Sequence, residues 1–71
     1  MPKRVLVADD DTIYLKLYIR LFAGKEYALT TASSFMEAAR LIKSDYYDLL
    51  VTDLMLQDGL GTELIKLFEE N

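Results

Sequence analysis

Apolar and polar positions fall in blocks along this chain. Val5-Leu6-Val7-Ala8 is a continuous apolar run that ends on Asp9-Asp10-Asp11, and Leu49-Leu50-Val51-Thr52 is a second that ends on Asp53. Short runs of this kind predict buried strands of a parallel sheet. Strands are expected at about Arg4 to Ala8, at Ala28 to Ala32 and at Leu49 to Thr52. Between the first two, a helix is expected from near Asp11 or Thr12 to Ala23, with Gly24 as the left-handed residue just past its end. Ser34 with Glu37 three residues on forms a capping box, and the second helix runs on through Ala38, Leu41 and Ile42 to about Ser44. Asp45-Tyr46-Tyr47-Asp48 returns the chain to the third strand. A loop from Leu54 to Gly59 then leads to a last helix from about Leu60 to Glu70. Strands alternating with helices imply an α/β fold, with parallel pairing and right-handed crossovers.

The first helix has an unusual pattern. Between Ile13 and Ala23 only Lys16 and Arg20 are charged, and these share one narrow stripe with Thr12. Ile13, Tyr14, Leu15, Leu17, Tyr18, Ile19, Leu21 and Phe22 cover every other direction, whereas a surface helix usually carries a single apolar stripe. Such a helix is expected to be covered on more than one side.

The pattern also places chemistry. Parallel strands bring their carboxyl ends to one edge, so Asp9-Asp10-Asp11 and Asp53 are expected to converge in the crevice where open α/β sheets place their ligands. At ~4 Å and an effective dielectric of about 20, one pair of carboxylates costs roughly 4 kcal/mol. A fold keeps such a cluster if a divalent cation neutralises it, or if a raised pKa keeps one group protonated. The cation is the sharper expectation, with Asp9, Asp10 and Asp53 as its carboxylates.

Composition narrows the partners. The 71 residues make one small domain at most, and a hydrophobic fraction of 52% argues for a folded one. The net charge is −4 and the eight basic residues form no run, which argues against nucleic acid or an anionic membrane as a partner of this segment. There is no cysteine and no histidine. Disulfides, thiolate or imidazole metal sites, Ser-His and Cys-His pairs and a phosphohistidine role are therefore excluded. Nothing resembles a signal peptide or a membrane span, so a cytoplasmic location is expected.

VLVADDD at the first strand, TASSFMEAARLIKSDYYDLLVTD across the second helix and third strand, and LMLQDGLG after it resemble the receiver domain of two-component response regulators. The resemblance implies a flavodoxin-like (CheY-like) parallel sheet with helices on both faces. It covers three of the family's five strand–helix units, so residues 1–71 are expected to be the N-terminal half of a receiver, a truncated (βα)3. It implies that Asp53 is the phosphoacceptor, a carboxylate nucleophile served by a sensor histidine kinase or phosphotransfer protein in a phosphorelay. It further implies Mg²⁺ or Mn²⁺ held by Asp10 directly, by Asp9 mainly through water, by Asp53 and by the backbone carbonyl of Met55. On this reading the chain is a phosphoacceptor and not an enzyme. The family's hydroxyl residue after its fourth strand and lysine after its fifth have no counterpart in these residues, which would impair phosphotransfer and switching. Where the family often has proline four residues after the phosphoacceptor, this chain has Gln57.

Plainer roles are expected for other residues. Asp11 reads as the N-cap of the first helix. Asp58, Gly59 and Gly61 read as loop-shaping residues, Asp48 as opening the third strand and Asp45 as a solvated turn residue. Met36 and Met55 side chains read as packing, and Tyr46 and Tyr47 as half-buried rings with wet hydroxyls. The alternative function is a self-associating interaction module without productive phosphotransfer. A homodimer is expected, with the apolar third strand meeting its mate or the first helices covering one another. An enzyme of the haloacid dehalogenase type would need a second Asp at Met55, and dinucleotide binding a glycine-rich turn where the acids stand.

Overall fold

The computed structural model describes residues 2–71. Its elements run β1 (Lys3–Ala8), α1 (Thr12–Phe22), β2 (Tyr27–Ala32), α2 (Phe35–Ser44), β3 (Leu49–Thr52), β4 (Met55–Leu56), β5 (Gly59–Leu60) and α3 (Gly61–Glu70). β1, β2 and β3 form one parallel sheet in the order β2-β1-β3. β1 lies at its centre, and the side chains of Val5, Leu6, Val7 and Ala8 are wholly buried. An unbroken apolar run is what a strand covered on both faces requires.

Alternate residues of β1 serve two separate cores. Leu6 and Ala8 pack with Ala32, Ala38, Ile42, Tyr47, Leu56 and Leu64, under α2 and α3. Val5 and Val7 pack with Leu15, with Tyr18, Phe22, Leu29 and Val51 at the margin, under α1. Helices thus cover both faces, the flavodoxin-like arrangement. The two faces differ in coverage: Leu15 is the one buried residue of α1, while Ile13 (68%), Leu21 (63%) and Ile19 (50%) stay exposed. Tyr14 and Leu17 are exposed as well, while Tyr18 is half-buried against Val5 and Val7, so the helix expected to be covered on more than one side is covered here on one.

Side chains cap the starts of α1 and α2, whereas α3 begins without a side-chain cap. Asp11 caps α1, its Oδ1 accepting the Ile13 N–H at 2.9 Å, and Gly24 follows the helix at φ +74°. At α2, Ser34 Oγ accepts the Glu37 N–H at 3.1 Å, while Glu37 Oε1 reaches back to the Ser33 N–H at 2.8 Å instead of to that of Ser34. The two remaining first-turn amides are taken from a distance. Phe35 N–H donates to Asp58 Oδ1 at 2.7 Å and Met36 N–H to Asp58 Oδ2 at 3.1 Å. A carboxylate there also faces the positive end of the helix dipole.

Several plainer expectations change. The segment after Asp53 is not a bare loop: β4 and β5 form a small antiparallel pair, Met55 opposite Leu60 and Leu56 opposite Gly59. Its Leu56 anchors in the core below α2 and α3. Met36 and Met55 do not pack; both side chains are largely exposed. Tyr47 is buried with the Arg4 guanidinium 5.0 Å over its ring, whereas Tyr46 is exposed and donates its hydroxyl to Asp48 Oδ1. Asp48 does open β3, and it does so by clamping β1: its Oδ2 accepts the Arg4 N–H and its own N–H donates to the Arg4 carbonyl, both at 2.8 Å. Asp45 caps the end of α2 and sits 3.6 Å from Arg4.

The Phe35 and Met36 amides hold the Asp58 carboxyl below its ordinary carboxylate range. A native pKa lowered in this way adds stability that is fully present above the unfolded-state value and is lost as pH falls through the native one. Asp58→Asn is therefore expected to melt below the unsubstituted chain at neutral pH. The gap should close as pH drops from about 4 through the lowered native value, in thermal melts by circular dichroism. An unchanging gap across that window would show that the Asp58 charge contributes nothing.

Candidate functional site

The site follows from strand register. Ala8 is paired with Ala32 on one side and with Thr52 on the other. The ladder continues one bond beyond each strand: Asp9 N–H donates to the Ala32 carbonyl and Asp53 N–H to the Ala8 carbonyl, both at 3.0 Å. Asp9 and Asp53 are thus the next residues of adjacent parallel strands, and they stand at the same carboxyl edge. One carboxylate oxygen from each of Asp9, Asp10 and Asp53 lies within 4.8 Å of the other two. The three sequence-derived carboxylates are brought together; Asp11 turns away to its capping role.

Their surroundings differ. Asp9 is 8% exposed, Asp10 half-buried and Asp53 exposed. Asp9 Oδ1 accepts the Asp11 N–H at 2.9 Å, and Asp10 Oδ2 accepts the Gln57 N–H at 3.0 Å. The single ion pair among the described residues, Arg4 with Asp45, sits near the opposite end of β1, so no basic side chain neutralises the trio there. Asp9 and Asp53 also line a crevice against α1 with Tyr14, Tyr18, Val51 and Thr52. Three hard oxygen donors without a basic partner fit a Mg²⁺- or Mn²⁺-type ion, which takes carboxylates and retains waters. Asp53 is the exposed carboxylate of the three, whereas Asp9 is buried and held by the Asp11 amide.

Close approach of α3 sets Asp53 from below. The Gly61 N–H donates to the Leu54 carbonyl at 2.8 Å, and a Cβ at Gly61 would collide with the Asp53 carbonyl oxygen.

A family profile described as the response regulator receiver domain matches residues 5–71. The chain belongs to the response regulator receiver family. This receiver chain is 35% identical over 65 residues to the two-component response regulator ARR11 of Arabidopsis thaliana, a match covering 89% of the chain and 12% of that protein. It is 32% identical over 66 residues to the two-component response regulator ORR22 of Oryza sativa, covering 90% of the chain and 10% of that protein. It is 32% identical over 63 residues to the transcriptional regulatory protein GlrR of Escherichia coli, covering 89% of the chain and 14% of that protein. The receiver chain therefore spans a small share of the length of the curated relatives it matches. As a receiver it is a phosphoacceptor domain of two-component signalling rather than an enzyme in the ordinary sense. No described helix is long and apolar enough to cross a membrane.

Two contributors to the site were not visible in the sequence. Asp58, read as a turn residue, is tied to α2 across 23 and 22 residues, a separation over which no local signal exists. The Gln57 amide bond to Asp10 spans 47 residues, and its one trace in the sequence is a glutamine where proline is common in the family. The Asp53 backbone depends on Gly61 in a way that can be measured. Gly61→Ala is expected to lose about 1–3 kcal/mol of unfolding free energy, the usual range for forced overpacking, in urea denaturation. A loss below about 0.5 kcal/mol would mean that the approach is soft.

Proposed function

We propose that this chain supplies the first three strand–helix units of a receiver domain and that Asp53 is the residue that accepts its phosphoryl group. The observation carrying the proposal is the convergence of Asp9, Asp10 and Asp53 at one sheet edge, within 4.8 Å, in a chain of the receiver family. In the transfer, an Asp53 carboxylate oxygen forms a bond to phosphorus. The bond from phosphorus to the donor's nitrogen or oxygen breaks, and the donor leaves with that electron pair. The donor is a sensor histidine kinase or phosphotransfer protein of a cytoplasmic phosphorelay. Asp9, Asp10 and Asp53, together with the Met55 backbone carbonyl, are the residues that would hold Mg²⁺ or Mn²⁺. When bound, the cation supplies neutralisation of the charge on the transferring oxygens. The backbone ladder at Asp9 and Asp53 keeps the two carboxylates in register while this happens.

Incubation with acetyl phosphate and Mg²⁺, followed by intact-mass measurement, should add one phosphoryl group, at low yield and in a Mg²⁺-dependent manner. Asp53→Asn should abolish it, and Asp10→Asn should reduce it severalfold, the scale of a lost metal ligand contact. Modification that survives Asp53→Asn would remove the assignment.

A second copy of the chain is the assembly we propose, and two observations favour it. β3 is an edge strand of the sheet, without lysine or proline along Leu49–Thr52. Separately, α1 exposes Ile13, Leu17 and Leu21. A dimer that forms while Asp53 stays unmodified would favour the alternative, a self-associating module without phosphotransfer. Light scattering at micromolar concentration should give the mass of a dimer, and Leu17→Glu should shift it to a monomer. A monomeric mass for the unsubstituted chain, with a cooperative melt, would contradict the assembly.

A further inference from the structure

Gln57 occupies a position where receivers often have proline, and the exchange alters what the main chain offers there. Proline has no amide hydrogen. Gln57 has one, and it donates to Asp10 Oδ2 at 3.0 Å. The bond runs from the turn between β4 and β5 to the residue just past the carboxyl end of β1, and its acceptor is one of the three clustered carboxylates. Hydrogen bonds to an ionised acceptor are about twice as strong as neutral ones.

The consequence for Asp10 is geometric. The second torsion of an aspartate side chain is broad when nothing fixes it. An amide on Oδ2 sets the carboxylate plane and leaves Oδ1 for a cation. The turn that presents the amide is itself held. Leu56 before it is buried, Asp58 after it accepts the Phe35 and Met36 amides, and Leu54 accepts the Gly61 N–H. Gln57 thus donates from a fixed support.

We propose that the Gln57 main-chain amide is a positioning group of the divalent-cation site, orienting Asp10 and raising the affinity for the ion above what a proline at this position would give. The inference rests on the cation reading of Asp9, Asp10 and Asp53. Ligating carboxylates depend on such outer hydrogen bonds, and their loss costs about 10–100-fold in metal affinity.

Gln57→Pro removes the amide hydrogen, and Gln57→Ala keeps it while removing the side chain. Proline suits the backbone: among the described residues positive φ occurs at Gly24 alone, and Leu56 is extended, as the residue before a proline must be. Calorimetric titration with Mg²⁺ should give a Kd about tenfold weaker for Gln57→Pro and an unchanged Kd for Gln57→Ala. Equal affinity of Gln57→Pro and the unsubstituted chain, or an equal loss in both variants, overturns the proposal. A Gln57→Pro chain that does not fold leaves the decision to the unsubstituted protein. There the Gln57 amide proton should resonate downfield and remain so at saturating Mg²⁺. Its return to the random-coil position on addition of Mg²⁺ would show the ion competing with the amide for Oδ2, and would overturn the proposal. An unsubstituted chain that binds no Mg²⁺ overturns the cation reading and this inference together, whereas binding that is indifferent to residue 57 overturns this inference alone.

Discussion

Register between β1 and its two neighbours is the constraint on which the remaining features depend. Because Ala8 is opposite both Ala32 and Thr52, the next residues, Asp9 and Asp53, arrive side by side with their amides already bonded to carbonyls of the adjacent strand. A slip of one residue would turn the alternating side chains of β1 to the wrong faces, taking Leu6 from one core and Val7 from the other. The burial that fixes the strand therefore also fixes the charges. Apolar packing holds the acids together against a repulsion of roughly 4 kcal/mol per pair at ~4 Å and an effective dielectric of about 20, a repulsion that the proposed cation would offset.

The second organising element is the turn between β4 and β5. It contributes the Gln57 amide to the acid cluster and the Asp58 carboxylate to the first turn of α2, so two adjacent residues join β1 to α2 through hydrogen bonds. Gly61 completes the arrangement by allowing α3 to start against the Asp53 backbone.

Much of this was legible in the residues. The apolar runs located β1 and β3, and the Asp11 and Ser34 caps located the starts of α1 and α2, because a helix start is a local chemical need met by the nearest side-chain oxygen. The three carboxylates were legible because parallel pairing of consecutive strand–helix units leaves one edge for their ends. β4 and β5 were not, since two-residue strands carry no periodicity. The long-range bonds of Asp58 and of the Gln57 amide were not legible, because their partners lie far away in sequence. Met36 and Met55 were expected to pack and are exposed, since hydrophobic identity alone does not say whether a neighbouring element covers a position. Membership of the receiver family then attaches a known class of chemistry to an edge that geometry had already assembled.

The central claim is that the acids at the ends of β1 and β3 form one divalent-cation site. Paramagnetic Mn²⁺ titrated into the isotopically labelled chain tests it most directly, because relaxation enhancement of amide signals falls off steeply with distance from the ion. Substoichiometric Mn²⁺ should broaden the amides of residues 9–11 and 53–57 first, leave Lys3, Glu26 and the end of α2 sharp, and lose this selectivity on addition of excess Mg²⁺. Broadening centred elsewhere, or spread evenly over the many acidic side chains of the surface, would contradict the account.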